Sequence, residues 1–489
     1  MKNPLKHVAV VGFVLFALLF GSTSAIQYFA ADSLRQNPLN NRTVIAELAR
    51  PRGPILVDGK ELAASNPVDD EYKYQRTYGG DGLSAKAYAN MTGYFSIVSG
   101  TTGLERSEND LLSGTSDAMF YDRVGSWFTG QQPSGAAIDL TINAKAQRAA
   151  WEGLGDQRGA AVALNPKTGE VLAMASTPGF DPNTLATHDR SSAQDAYQRL
   201  EGAKSKPLYN RAIGGNLYPP GSTFKLITAA AALEKGDVKP DSEISAPDSL
   251  KLPQTSRSLR NAGGETCGSN GRATLKHSLT ISCNTAFAQL GMDLGGKALN
   301  AQAEKFGFGK RFDMPLSVSP STFPADANEP SLAMSAIGQY EVRATPMQMA
   351  MVAAAIANGG REMTPNLVKQ VRNAKTLETI EKPSPKEFSR PISSGTADSL
   401  TDMMESVVED GTGTAAQISG VKVAGKTGTA QHAEGGSPHA WFTSFAPADD
   451  PQVAVAVVVE DGGSAGSEAS GGRVAGPIAK DIMEAVIDK

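Results

Sequence analysis

The sequence predicts an α+β protein whose larger, C-terminal part is built on an antiparallel sheet flanked by helices. Three observations predict it. Apolar strand-like stretches lie at both ends of that part, at 159–164 and 453–459, with helix-forming stretches between them, so the sheet must be completed by segments distant in sequence. The 50 glycines and 28 prolines are spread through many turns, with no fixed-period repeat that would signal a solenoid. A single apolar run near the N-terminus stands apart from both.

That run comes first in the chain. Lys2 and Lys6 precede apolar residues 8–20, which continue through the milder 21–26 to Tyr28-Phe29-Ala30. About 20 such residues cross a bilayer and the leading lysines stay in the cytoplasm, so residues 1–30 are expected to form a cytoplasmic stub and an anchor, with the remainder outside. Thr23-Ser24-Ala25 also offers the small residues of a signal-peptide cleavage site, and either way the protein leaves the cytoplasm. The next stretch contains Asn37-Pro38-Leu39-Asn40-Asn41-Arg42, Arg52-Gly53, Met91-Thr92-Gly93-Tyr94-Phe95 and a Gly103-Leu104-Glu105 turn, and shows no catalytic constellation. The turn-forming loop Pro133-Ser134-Gly135 marks its expected end.

A catalytic domain over 139–489 is expected to open with Asp139-Leu140-Thr141-Ile142 and a helix over Ala144–Leu154. Residues 159–164, the turn Asn165-Pro166-Lys167-Thr168-Gly169 and 170–176 read as a β-hairpin. Helices follow within 271–294, then over 346–358 and 394–408. Strands at 422–429, 440–446 and 453–459 precede a last helix over 475–487.

Chemistry concentrates at Tyr218-Pro219-Pro220-Gly221-Ser222-Thr223-Phe224-Lys225. Pro219, Pro220 and Gly221 resist helix whereas Leu226, Ile227 and the alanines at 229–232 favour it, so a helix should begin near Ser222. Ser222 and Lys225 then share a face at i, i+3 spacing, where the amine can accept the hydroxyl proton. The apolar flank should lower the lysine pKa towards that of a general base, and the free N–H groups of a helix start favour an anionic oxygen. Read alone, the same pattern is also a serine N-cap followed by a solvated lysine.

Two downstream motifs decide between these readings. Ser282-Cys283-Asn284 and Lys426-Thr427-Gly428-Thr429 follow in order, completing the set Ser-x-x-Lys, Ser-x-Asn and Lys-Thr-Gly of penicillin-binding proteins and class A β-lactamases, with Cys283 in place of the usual Asp. On these residues the chain resembles a class B penicillin-binding protein of the actinobacterial penicillin-binding protein A type. Arg52-Gly53-Pro54-Ile55-Leu56-Val57-Asp58-Gly59, Asn165-Pro166-Lys167-Thr168-Gly169-Glu170-Val171-Leu172-Ala173-Met174 and Ala336-Ile337-Gly338-Gln339 extend the resemblance nearly end to end. Tyr340 departs from it, since many relatives continue Gly-Gln with a small residue.

The resemblance implies a penicillin-binding/β-lactamase-like transpeptidase domain, preceded over 31–138 by a non-catalytic domain that spaces the active site from the membrane or contacts partners. It implies a D,D-transpeptidase that cross-links stem peptides in wall growth, for division or cell shape, and is acylated by β-lactams. Ser222 would attack the D-Ala-D-Ala carbonyl with Lys225 accepting its proton, and Ser282 would relay that proton to the departing D-alanine. Lys426 would present positive charge to the cleft and help keep Lys225 neutral. Asn284 would bond the substrate amide, Thr427 and Thr429 its carboxylate, and Gly428 would leave room for its backbone. The N–H groups of Ser222 and Thr429 would form the oxyanion hole. Other wall-synthesis proteins, including a separate glycosyltransferase, would be partners, because no segment resembles a second catalytic domain.

Cys267 and Cys283, alone in a chain sent to an oxidising compartment, are a disulfide candidate pair or two buried thiols. A bridge closing a loop of about 15 residues is worth roughly 3 kcal/mol in the chain-entropy model.

Rival functions are weighed on the same residues. Gly420-Val421-Lys422-Val423-Ala424-Gly425-Lys426-Thr427 fits the phosphate-loop pattern letter for letter, and Val453–Val459 ends in Glu460-Asp461 like a metal-binding strand. A phosphate loop must open a helix, however, and residues 421–429 read as a strand. The chain lacks the Glu-x-x-Asn of class A β-lactamases, so slow hydrolysis of the acyl-enzyme is expected; a D,D-carboxypeptidase or β-lactamase and a non-catalytic wall scaffold are the alternatives. A net charge of -5 carries no nucleic-acid footprint, and His7, His188, His277, His432 and His439 show no ligand spacing, so no metal or cofactor is expected.

Overall fold

The seven residues Val453–Val459 are all apolar, so both faces of that strand must be covered, and the fold is organised around the sheet that buries it. The computed structural model describes residues 2–30, 48–80, 82–119, 134–215, 217–431 and 436–487. The Asn37 to Arg42 segment, Pro133 and His432 lie outside them. In chain order the elements used below are helix α1 (Lys2–Ser24), strands β1 (Ile55–Val57), β2 (Lys60–Pro67), β3 (Tyr74–Tyr78) and β4 (Ala137–Leu140), and helix α2 (Ala144–Leu154). Strands β5 (Gly159–Leu164) and β6 (Val171–Thr177) and helices α3 (Arg190–Gly202), α4 (Lys225–Lys235), α5 (Asn284–Leu294) and α6 (Pro346–Ala357) follow. The last are β7 (Val368–Arg372), β8 (Thr379–Glu381), α7 (Ser394–Glu409), β9 (Ala424–Ala430), β10 (His439–Ala446), β11 (Val453–Val459) and α8 (Gly471–Ile487).

The catalytic sheet has five strands in the order β9-β10-β11-β5-β6, every pair antiparallel. Side-chain alternation divides β11 between two cores: Val453, Val455, Val457 and Val459 face α2 and α8, while Ala454, Ala456 and Val458 face α6. This three-layer arrangement is the α+β fold the pattern predicts. Helix α6 is buried almost all round, which its run of Met, Ala, Val and Ile foretells, and Thr345 caps it by accepting from Gln348 N. The span of α2 and the strand at 453–459 match their expected bounds, whereas β9 begins at Ala424 rather than Lys422 and α8 starts earlier, at Gly471.

The second sheet runs β8-β7-β4-β1-β2-β3, with β1 and β4 parallel and the other neighbours antiparallel. It joins N-terminal strands to β7 and β8 from far downstream, and the expected domain boundary at 138/139 falls inside β4. Strand pairing is indifferent to separation in sequence, so no composition shift marks this sharing. Gln147 of α2 adds a side-chain tie, donating to Ala87 O (2.8 Å) and Met174 O (3.1 Å).

Gly103–Ser107 forms a short helix rather than the expected turn, and it carries a buried carboxylate. Glu105 accepts from Arg52 Nε at 2.9 Å, Arg76 Nε at 2.6 Å and Tyr78 Oη at 3.2 Å. Burial raises its pKa, but Arg76 and Arg52 outweigh burial and hold it below the usual carboxylate range. Helix α1 continues into a π-helical turn, Ala25–Phe29, and Lys6–Phe29 is apolar and long enough to cross a membrane.

Removing the central charge leaves two buried guanidinium groups uncompensated. Glu105→Leu is expected to cost about 3–5 kcal/mol, read as a lowered thermal unfolding midpoint. An unchanged midpoint would show that the triad does not hold the N-terminal unit together.

Candidate active site

Pro219, Pro220 and Gly221 delay the helix further than the sequence suggests: Gly221–Phe224 is one 3-10 turn, and α4 begins at Lys225 rather than near Ser222. The consequence for the pair is favourable, because residues i and i+3 eclipse in a 3-10 turn, which keeps Ser222 and Lys225 on one face. Distant groups hold this turn in place. Gly221 N donates to Gly338 O (2.9 Å) and Trp441 Nε1 to Pro219 O (3.0 Å). Tyr218 Oη donates to Glu460 Oε1 (2.7 Å), which also accepts from Arg211 Nε (2.8 Å). A Cβ on Gly338, itself at φ 73°, would lie 2.1 Å from Gly221 O, so the Ala336-Ile337-Gly338-Gln339 segment braces the nucleophile turn by backbone contact that only glycine permits. Tyr340, the departure from the family pattern, takes a left-handed conformation (φ 60°) and is half-exposed.

The second motif sits on a strained loop. Ser282 has φ 62°, an unfavourable conformation for a residue with a Cβ, and Asn284 opens α5. Cys283 is bonded to Cys267 in a disulfide with Cα atoms 5.9 Å apart, tying the loop to the 261–271 segment. Asn261 lies on that segment, and its Oδ1 accepts from Asn284 N (2.9 Å), Thr285 N (3.1 Å) and Thr285 Oγ1 (3.3 Å). It caps α5 from 23 residues away, and nothing in its own stretch of sequence marks it. A cap normally adjoins its helix, so no local signal could have found it.

Lys426 lies in β9, whose ladder to β10 runs unbroken from Ala424 to Ala430, so a strand passes through the phosphate-loop pattern. Glu460, at the end of β11, is committed to Arg211, Arg158 and Tyr218, and among the described residues no group of three His, Cys, Asp or Glu could hold a metal ion. Thr427 is buried and hydrogen-bonds Thr412 Oγ1 (2.6 Å), while Thr429 is exposed. A Cβ on Gly428 would lie 2.9 Å from Pro220 O and 3.0 Å from Thr223 Cγ2. This glycine therefore serves the packing of β9 against the nucleophile turn, a structural demand beside the substrate-access role expected of it.

The three motifs meet around one hydroxyl. Lys426 Nζ donates to Ser282 Oγ (2.8 Å), Thr427 O (3.0 Å) and Thr427 Oγ1 (3.4 Å). Lys225 Nζ lies 2.7 Å from Ser282 O, 2.8 Å from Asn284 Oδ1 and 3.3 Å from Ser282 Oγ, over the Phe287 ring. The amine is thus held by the middle motif, and no hydrogen bond joins it to Ser222 in this conformation; Asn284 likewise spends its carbonyl oxygen on Lys225. Both lysines are fully buried. Burial, and then the charge of Lys426, push the Lys225 pKa well down, whereas burial alone lowers Lys426 to about 7. Both causes push Lys225 towards its neutral form. A neutral amine has two N–H groups, which Ser282 O and Asn284 Oδ1 take, and a lone pair left for a hydroxyl. The arrangement can take a proton from a serine and pass it along a chain of hydroxyl and amine groups.

A family model described as penicillin binding protein transpeptidase domain matches residues 159–484, and one described as penicillin binding protein A dimerisation domain matches 52–138. The chain is 42% identical to peptidoglycan D,D-transpeptidase PbpA of Mycolicibacterium smegmatis, covering 100% of this chain and 99% of that protein. The ceftriaxone acyl-enzyme structure of penicillin-binding protein A from Mycobacterium tuberculosis is similar at 39% identity and a TM-score of 0.87, over 91% of this chain and 100% of that one. Pseudomonas aeruginosa PBP2 in complex with WCK 5153 is similar at 30% identity and a TM-score of 0.75, over 90% of this chain and 96% of that one.

Asn261 offers a direct test of how the middle motif is held. Asn261→Ala orphans two N–H groups, a cost of about 1–3 kcal/mol, and should slow acylation by a fluorescent penicillin about tenfold. Asn261→Asp keeps the acceptor but adds a negative charge beside Lys225, so its rate should recover only at higher pH. Wild-type rates in the alanine variant would remove the capping role.

Proposed function

The chain belongs to the class B penicillin-binding proteins and is a peptidoglycan D,D-transpeptidase, and on that premise we propose which of its groups carry the reaction. The observation that carries the assignment is the hydrogen-bonded run Lys426–Ser282–Lys225, with both lysines fully buried and Lys225 three residues after Ser222. Ser222 Oγ attacks the penultimate D-alanine carbonyl of a stem peptide as Lys225 accepts the hydroxyl proton. The oxyanion that forms lies against the N–H groups of Ser222 and Thr429. Collapse breaks the peptide bond, and the proton on Lys225 passes through the Ser282 hydroxyl to the leaving D-alanine amine. An acceptor amine from a second stem peptide then attacks the acyl-enzyme, giving up its proton along the same route and releasing Ser222. A β-lactam follows the first half of this course and stays attached to the serine.

Lys426, Thr427 and Thr429 line the wall that receives the terminal carboxylate, and Asn284 orients the peptide once substrate draws its side chain away from Lys225. Residues 1–30 are proposed as the anchor, with Lys2 and Lys6 in the cytoplasm and the catalytic unit outside. The disulfide accords with that compartment. The 31–138 region is proposed as a non-catalytic spacer or partner-binding unit, and glycan polymerisation is assigned to a separate glycosyltransferase.

Two measurements test these roles. Fluorescent penicillin should label the wild-type protein and not Ser222→Ala; label at another residue would refute the nucleophile. The pH profile of acylation tests the lysine pair. Acylation needs neutral Lys225, so its rate rises with pH through the pKa of that amine. Lys426→Met removes the repulsion that lowers this pKa, so the rising limb should move to higher pH, alongside a loss of about 10²–10³ in kcat/KM. A limb that stays in place would confine Lys426 to substrate binding.

A further inference from the structure

A cavity of about 680 Å³ lies between the N-terminal and catalytic units, apart from the nucleophile turn. Its walls come from the 89–103 stretch on one side and from Phe180, α3 and the 206–213 stretch on the other, and neither mechanism nor motif has used it. Four aromatic side chains, Tyr94, Phe180, Tyr197 and Tyr209, are part of its lining. Tyr94 is 96% buried, yet its hydroxyl makes no hydrogen bond within the described chain. Next to it, Tyr197 Oη donates to Glu201 Oε1 at 3.2 Å. The charged residues of the lining are Glu201 and Lys206, one of each sign, so the site selects no strongly charged ligand.

Such a volume suits a ligand of drug size held by apolar faces and a few polar groups. Flat apolar surface edged by hydroxyl, amide and carboxylate groups matches a sugar, whose ring has an apolar face and a hydroxyl rim. Peptidoglycan, the substrate of the reaction assigned above, is itself part glycan. We propose that this cavity binds a short segment of the glycan strand, separately from the stem-peptide cleft. The proposal rests on the transpeptidase assignment.

The wall leads physically to the nucleophile turn. Arg211 donates to Lys206 O (3.1 Å) and Ser205 O (2.7 Å), and its Nε reaches Glu460 Oε1, the oxygen that Tyr218 also holds.

The test uses the full chain in detergent micelles, titrated with peptide-free, uncross-linked glycan oligosaccharides and, separately, with free stem pentapeptide. Glycan should bind with equal affinity before and after Ser222 is acylated by penicillin. Tyr94→Phe should weaken it about fivefold, the value of one hydrogen bond, and Tyr197→Ala tenfold or more, with penicillin acylation within twofold of wild type. Absence of glycan binding, competition by penicillin, indifference to both substitutions, or binding of peptide alone at the cavity would each overturn the proposal. Failure of Ser222 to acylate would instead overturn the underlying assignment.

Discussion

Two lysine amines are buried against one serine hydroxyl, and a protein interior cannot easily hold both as cations. Desolvating a single ammonium ion already costs several kcal/mol, and a second like charge beside it adds repulsion. Burial, and then the charge of Lys426, push the Lys225 pKa well down, while burial alone lowers Lys426 to about 7. The proposed activation of Ser222 draws on this shift, because a neutral amine three residues away would be a base before any substrate arrives. The Ser282 loop beside the two lysines is held in a left-handed conformation that a residue with a Cβ adopts unfavourably.

Each wall of the site is secured by a group remote in sequence. The nucleophile turn is fastened by Gly338, Trp441 and Glu460. The Ser282 loop is fastened by the Cys267 disulfide and the Asn261 cap, and β9 by its unbroken ladder to β10. Apart from the disulfide, these fasteners are hydrogen bonds between backbone groups or to buried and half-buried polar side chains. Preorganisation of this kind suits acyl transfer, where donors must already point at the place where charge will develop.

The N-terminal and catalytic units are joined more closely than a linker would join them. Three N-terminal strands, the strand β4 that straddles the expected boundary, the pair of strands from 368–381 and the Gln147 bonds join the two units. The aromatic cavity opens along that same junction, and the buried Arg211–Glu460–Tyr218 run connects its wall to the nucleophile turn. The N-terminal and catalytic units are thus parts of one structure.

Short-range information determined a good deal by itself. The strand at Val453–Val459, the helix at Ala144–Leu154 and the hairpin that follows it were legible because periodicity and turn residues act over a few positions. That Lys225, Ser282 and Lys426 come together was expected from three motifs in order. Tertiary structure alone decided that Ser222 sits in a 3-10 turn, that Asn261 caps α5, that Gly428 packs against Pro220 and that Glu105 neutralises two buried arginines. All four depend on which distant residue arrives alongside, and no pattern within a helix or strand period records that.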